Sequence, residues 1–265
     1  MSKPEVFEVF AVKYATHERN ADSNFTNEPD IHDGRMPLDY FVWVVRSANR
    51  TIVIDTGFTQ AEADARKRTF LRCPTEGLAL IDVDASEVED VIITHMHYDH
   101  AGNFDLFPKA MLHLQDKEMA FVTGREMRNP KRRNSMKIDD VVSMVRKVYA
   151  DRVEFHEGDF EITPGLSVHL VGGHTAGLQF VRVFTKRGWV VVASDACHLY
   201  ANMERKNPFP VIYNLDDVFE GYETLKRLAD SPDHIVPGHD PLVMERYPAP
   251  SLELEGIVIR LDELK

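Results

Sequence analysis

Cysteine is scarce: the 265 residues carry two, Cys73 and Cys197, far apart and in no CxxC spacing. That argues against a disulfide framework and for a reducing compartment. Long hydrophobic runs are lacking as well. No stretch approaches the roughly 20 apolar residues that span a bilayer, and Val6 to Val12 is too short and too interrupted for the apolar core of an export signal. A cytoplasmic protein without membrane partners is expected. Positive charge is in deficit, with 31 Lys and Arg against 43 Asp and Glu and a net charge of −12. Nucleic acid and anionic membrane surfaces both require a basic face, so neither is an expected partner. Apolar residues, by contrast, make up 43% of the chain, enough for a sizeable core and for one compact domain over 1–265.

Chemistry is concentrated in histidine. In Thr94-His95-Met96-His97-Tyr98-Asp99-His100-Ala101-Gly102, three imidazoles and a carboxylate fall within six consecutive positions, directly after the apolar run Val91-Ile92-Ile93. His95 and His97 are two apart, so on an extended strand end they point the same way, while Asp99 and His100 fall where the chain turns. One stretch thus offers two pairs of ligands to two neighbouring cations. Imidazole and carboxylate donors without thiolate suit zinc, with iron or manganese as alternatives. Two such ions about 3.5 to 4 Å apart form a hydrolytic clamp.

Three downstream segments supply further donors. His174 lies between glycines in Gly172-Gly173-His174-Thr175-Ala176-Gly177, Asp195 ends the run Val190-Val191-Val192-Ala193-Ser194, and His239 follows Ile235-Val236-Pro237-Gly238. Each is a polar residue delivered by a short apolar β run, and strand ends are where α/β folds build sites. Cys197, two residues after Asp195, reads as a small buried residue.

The order HxHxDH, a His in a glycine turn, an Asp after a strand, then a His in a PGH turn resembles the metallo-β-lactamase superfamily over almost the whole chain. The resemblance implies an α/β fold, an αββα sandwich of two mixed sheets flanked by helices, with two similar halves at about 1–165 and 166–265. It implies that His95, His97 and His174 hold one ion, that Asp99, His100 and His239 hold the other, and that Asp195 bridges them with a hydroxide. Asp55, in Ile52-Val53-Ile54-Asp55-Thr56-Gly57, matches the DTG turn whose aspartate supports the ligands from behind. HxHxDHAG followed by Ser194-Asp195-Ala196, Asn202-Met203-Glu204 and Pro208-Phe209-Pro210 is most similar to the N-acyl homoserine lactonase group. A lactone-opening ester hydrolase is therefore expected, acting on an N-acyl homoserine lactone or a similar small lactone. The alternative is another activated acyl compound, such as a thioester, a cyclic imide or a pyridoxolactone-type substrate. Asp99, Asp195 and His198 are the expected catalytic residues. Those lactonases commonly place a Tyr three residues after the bridging Asp; this chain has His198 there, with Tyr200 two residues further on as a substitute. An imidazole in that position would titrate near pH 6.5 unless its surroundings lower it.

Around these motifs, strands are predicted at Val6 to Tyr14, Phe41 to Arg46, Thr51 to Asp55, Leu166 to Val171, Leu178 to Thr185 and Trp189 to Ala193. Helices are predicted at Glu118 to Val122 and Asp139 to Tyr149, and on the stripe from Leu215 to Leu228. Thr16 to Pro37 is a long polar connection and a candidate pocket wall. Phe58 to Leu80 is a second insertion whose Arg66-Lys67-Arg68 run reads as a solvated helix face. Phe25, Met36, Phe58, Phe70, Met203 and Phe209 lie in irregular segments expected to rim the metals and hold an apolar part of the substrate, together with His198 and Tyr200. Nothing in the sequence decides between a monomer and a homodimer.

Overall fold

The computed structural model describes residues 3–27, 30 and 32–265. Thirteen strands form two sheets among the described residues. The first contains β1 (Glu8–His17), β2 (Leu38–Arg46), β3 (Thr51–Ile54), β4 (Thr69–Phe70), β5 (Asp90–Ile92), β6 (Met111–Gln115), β7 (Val153–His156) and, from the far end of the chain, β13 (Val258–Arg260). Its order is β13-β1-β2-β3-β5-β6-β7, with β4 paired to β1. The second contains β8 (Phe160–Thr163), β9 (Leu166–Leu170), β10 (Gln179–Thr185), β11 (Gly188–Ser194) and β12 (Ile235–Pro237), in the order β12-β11-β10-β9-β8. Both are mixed: β3, β5, β6 and β7 run parallel, as do β11 and β12, and the other pairings are antiparallel. The predicted strands are all present. The proposed halves are not cleanly separated, since β8 precedes residue 166 yet belongs to the second sheet and β13 returns to the first.

Why two sheets stack is visible in the parity of the apolar residues. Val9, Ala11, Phe41, Trp43, Val45, Ile52 and Ile54 pack against Val168, Val181, Val183, Val190 and Val192 between the sheets. Their sequence neighbours Phe10, Val12, Tyr14, Val42, Val44 and Val53 face the opposite way, against helical residues that include Ala63, Leu78, Phe121 and Met144. A strand buried on both faces needs a near-continuous apolar run, which is how β1 and β2 read. On the outer face of the second sheet, Phe180, Val191, Ala193 and Ile235 pack against Tyr222 and Leu225. The layers are therefore helix, sheet, sheet, helix, and at 25 to 30 cal/mol per Å² this double burial is the main stabilising contribution.

The helices are α1 (Gln60–Arg66), α2 (Pro74–Ala79), α3 (Asp116–Thr123), α4 (Pro130–Arg133), α5 (Ile138–Tyr149), α6 (Tyr200–Glu204), α7 (Leu215–Leu228) and α8 (Leu242–Arg246). The insertion predicted from Phe58 to Leu80 is thus ordered as α1, β4 and α2. Among the described residues no helix is long and apolar enough to cross a membrane.

One close approach fixes how the loop after β9 meets α3. A Cβ on Gly177 would lie 2.1 Å from the backbone nitrogen of Glu118, whereas Gly34 has nothing within 4 Å of such an atom. Gly177→Ala should therefore cost about 1–3 kcal/mol or more, because backbone has to move, while Gly34→Ala should stay within about 0.5 kcal/mol. Equilibrium denaturation of the two variants checks this.

Candidate metal centre

Five strands deliver polar residues to one edge of the sandwich. β3 and β5 run parallel in the first sheet, and β9, β11 and β12 share one direction in the second, so their C-terminal ends lie together. Asp55 follows β3, Thr94 to His100 follow β5, His174 follows β9, Asp195 follows β11 and His239 follows β12. Asp55 (φ 60°) and Ser194 (φ 45°) both adopt left-handed backbone, unusual outside glycine, and so turn the chain sharply at the strand ends.

The predicted ligands converge in two sets. Donor atoms of His95, His97, His174 and Asp195 lie within 4.8 Å of one another, and so do those of Asp99, His100 and His239. Asp195 joins the sets through its two oxygens. Its Oδ2 is 3.0 Å from Nε2 of His174 and 3.6 Å from Nε2 of His95, while its Oδ1 is 2.9 Å from Nε2 of His239 and 3.2 Å from Nε2 of His100. All seven residues are buried.

The imidazoles are aimed from behind. His100 Nδ1 lies 2.7 Å from Asp55 Oδ2, His174 Nδ1 lies 2.7 Å from the Val211 carbonyl, and His239 Nδ1 lies 2.9 Å from the Asp39 carbonyl. An N–H donated outward at Nδ1 leaves the Nε2 lone pair facing inward. Asp55 also accepts from the Thr94 backbone N–H at 2.7 Å and from its hydroxyl at 2.8 Å, which locks the start of the His95 loop. Glu118, on α3, accepts from Met96 N–H (2.9 Å), the Thr175 hydroxyl (2.7 Å) and Gly177 N–H (3.0 Å), tying the His95–His97 loop to the His174 loop. The sequence places Glu118 in a helix and gives no sign of this role, because an acidic first-turn residue is ordinary.

Buried polar atoms normally find partners. Here Nε2 of His95, Nε2 of His100 and Oδ1 of Asp195 are buried with no hydrogen bond, although they sit close together. Proximity without hydrogen-bond alignment is what lone pairs directed at shared cations require. Burial holds His95 and His97 well below the usual imidazole range, so both are neutral donors. Burial acts on His100 in the same direction, but Asp195 and Asp55 carry it well above that range, and Asp195 raises His239. Against its own burial, Asp195 is held well below the carboxylate range by His198, His239 and His100, and so stays charged. The donor set suits divalent cations of the zinc, iron or manganese type.

The cluster forms the floor of a cavity of about 190 Å³ lined by Arg19, Leu38, Tyr40, Arg66, Arg68, His97, Tyr98, Asp99, Asn134, Ser135, His174, Asp195, His198, Phe209, Val211 and His239. His198 faces the site: its Nε2 is 3.0 Å from Asp195 Oδ2, and its ring stacks on Phe209 at 3.9 Å and 7°. Burial holds its imidazole down to about 3, not near 6.5.

Several expected wall residues are elsewhere. Tyr200 does not line the cavity; it opens α6 with its N–H held by Asp240, and its ring packs in the core between the sheets beneath Arg246. Phe25 is buried under Arg205. Phe58 is fully buried among Tyr14, Tyr40, Phe70 and Tyr98, and Phe70 packs on the same cluster. Met203 belongs to the core beneath α7, and Met36 packs on Leu38, Leu199 and Phe209 behind the wall. Of the six apolar candidates only Phe209 lines the cavity, because loops this size need their own anchors and use the large side chains for that. From the connection Thr16 to Pro37 only Arg19 lines it among the described residues, and residues 28, 29 and 31 lie outside them. Cys197 is buried, with its thiol directed at the Leu199 carbonyl.

A family model of the Metallo-beta-lactamase superfamily matches residues 35–239. The N-acyl homoserine lactonase AiiB of Rhizobium rhizogenes is 25% identical over 206 residues, covering 69% of this chain and 72% of that protein. An N-acyl homoserine lactonase of Bacillus cereus is 28% identical over 120 residues, covering 45% and 42%. Among solved structures, a quorum-quenching N-acyl homoserine lactone lactonase superimposes with a TM-score of 0.73 at 18% identity over 91% of this chain and 94% of that one. A probable metal-dependent hydrolase from Staphylococcus aureus gives 0.75 at 15% identity over 99% and 95%.

With one Asp195 oxygen turned to each ligand set, the purified protein should carry about two divalent ions per chain. Asp195→Ala should lose at least one of them and most of the activity, by elemental analysis alongside turnover. Full activity with a single ion would contradict the two-set geometry.

Proposed function

Since the chain belongs to the metallo-β-lactamase superfamily of metal-dependent hydrolases, we propose that it opens the ring of a small lactone, an N-acyl homoserine lactone or a compact relative, at a dinuclear centre. The observation that carries this reading is the Asp195 carboxylate, one oxygen of which lies beside each histidine set at the floor of a cavity. His95, His97 and His174 would hold one cation, Asp99, His100 and His239 the other, and Asp195 both. Two such cations supply a water acidic enough to be a nucleophile near neutral pH and a Lewis acid for an ester carbonyl. Lactonases among the relatives support this choice of substrate class.

The chain's own residues account for the remainder. Asp55 and Glu118 fix the ligand loops, so the reacting groups meet a site already organised. His198, neutral and stacked on Phe209, offers an imidazole beside Asp195 from which a substrate carbonyl or the developing alkoxide can take a hydrogen bond. The cavity, at about 190 Å³, lies below the 300–1,000 Å³ typical of sites for drug-sized ligands, and so favours a compact ring. Phe25, Phe58, Phe70 and Met203 do not line that cavity, so they offer no surface there to a long acyl chain. Specificity constants should therefore respond little to acyl length.

The test is turnover of a panel of lactones, thioesters and cyclic imides by the metal-loaded protein. Lactones should lead; activity confined to thioesters or imides would transfer the assignment to that acyl class. His198→Ala should lower kcat by roughly 10- to 1000-fold with metal content unchanged, and His198→Tyr should restore most of it. A histidine held near 3 is already neutral throughout pH 6 to 9. Its protonation, which sets in only as pH falls towards that value, should contribute no acid limb in this range. Wild-type kcat/KM retained by His198→Ala would remove His198 from the mechanism.

A further inference from the structure

The wall of the cavity carries three arginines, Arg19, Arg66 and Arg68, in a chain whose net charge is −12. They are not equivalent. Arg66 is committed to structure: it pairs with Glu62 within α1 and donates to the Asn134 carbonyl at 2.8 Å and the Met136 carbonyl at 3.3 Å. Arg68 is brought back toward the site because Lys67 ends α1 in the left-handed conformation at φ 57°. Its Nε donates to the Tyr98 hydroxyl at 3.2 Å, and its Nη1 lies 2.7 Å from the Arg66 carbonyl and 3.1 Å from Nε2 of His17. Burial and the charge of Arg68 itself keep His17 neutral, so that nitrogen can accept. Nη2 of Arg68 has no acceptor, and neither Arg68 nor Arg19 has a carboxylate partner, among the described residues. Both are half-buried.

Their place is equally specific. Arg19 and Arg68 also line an adjoining hollow of about 620 Å³ together with His17, Asn20 and Ser23, so they stand where solvent meets the cavity above Asp195. The acid in that hollow, Glu18, is already answered by Arg35 at 2.5 Å. Burial acts against the charge of Arg19, and the fork of either guanidinium matches a planar carboxylate.

Resting on the hydrolase reading of the same cavity, we propose that Arg68 and Arg19 form an anion subsite, and that the substrate is a compact lactone or related activated acyl compound bearing a carboxylate beside the bond to be cleaved. Tyr98 and His17 orient Arg68, and Phe209 lies beneath the Arg19 guanidinium, 4.9 Å from its ring centroid. The carboxylate is bound at the mouth while the acyl group reaches the floor.

The probe is a γ-butyrolactone carrying a ring carboxylate, compared with its carboxamide analogue, on the metal-loaded protein. The wild type should prefer the carboxylate by about 10- to 100-fold in kcat/KM, as one charge-assisted pair allows. Arg68→Gln should collapse that ratio mainly through KM, Arg68→Lys should recover part of it, and Arg19→Gln should reduce it independently, which keeps the test alive if Arg68→Gln does not fold. Equal use of the two lactones by the wild type, or a ratio untouched by both glutamine variants, overturns the subsite. If neither lactone is turned over, the lactone-opening reading fails, and calorimetric binding of the carboxylated lactone still decides the subsite. Weaker binding to Arg68→Gln or Arg19→Gln than to wild type supports it, and equal binding to all three overturns it.

Discussion

The functional edge of this protein depends on keeping a set of donor atoms buried, gathered at one place and without hydrogen bonds of their own. Leaving a buried polar group unsatisfied costs on the order of 1–3 kcal/mol, and Nε2 of His95, Nε2 of His100 and Oδ1 of Asp195 are all left so. The fold supports this from outside the cluster. Asp55 grips Thr94 and His100 from behind, and Glu118 closes the His95–His97 loop onto the His174 loop. Cations placed among these donors would satisfy them all, and their binding would then add to folding stability.

The same constraint ties the two sheets together. His95, His97, Asp99 and His100 come from the first sheet's edge, and His174, Asp195 and His239 from the second's. Neither sheet holds a complete set. Packing of Val9, Phe41 and Trp43 against Val168, Val181 and Val192 therefore does more than bury area; it sets the distance across which Asp195 reaches both sets. Small errors in that packing would be felt at the ligands, since cores transmit strain rather than absorb it.

Much of this was legible in the sequence because ligands are short-range signals. Each follows an apolar β run, and His95 to His100 are contiguous, so their convergence could be read before any coordinates. The layered fold followed from the family resemblance, and the doubly buried strands β1 and β2 agree with it. What could not be read was the direction of loop side chains. Phe25, Phe58, Phe70 and Met203 have the composition of a pocket wall but serve as anchors, and Tyr200 turns into the core because helix α6 begins there. Arg66-Lys67-Arg68 has the composition of a solvated face; the left-handed turn at Lys67, which no local propensity demands of a lysine, brings Arg68 to the cavity. Glu118 was hidden because its partners are more than twenty positions away for all three of its hydrogen bonds.

Anomalous diffraction from crystals of the metal-loaded protein tests the central claim most directly. Two peaks should appear, one among His95, His97 and His174 and the other among Asp99, His100 and His239, with the Asp195 carboxylate between them. A single peak, or two peaks with Asp195 turned away from either, would contradict a dinuclear hydrolase.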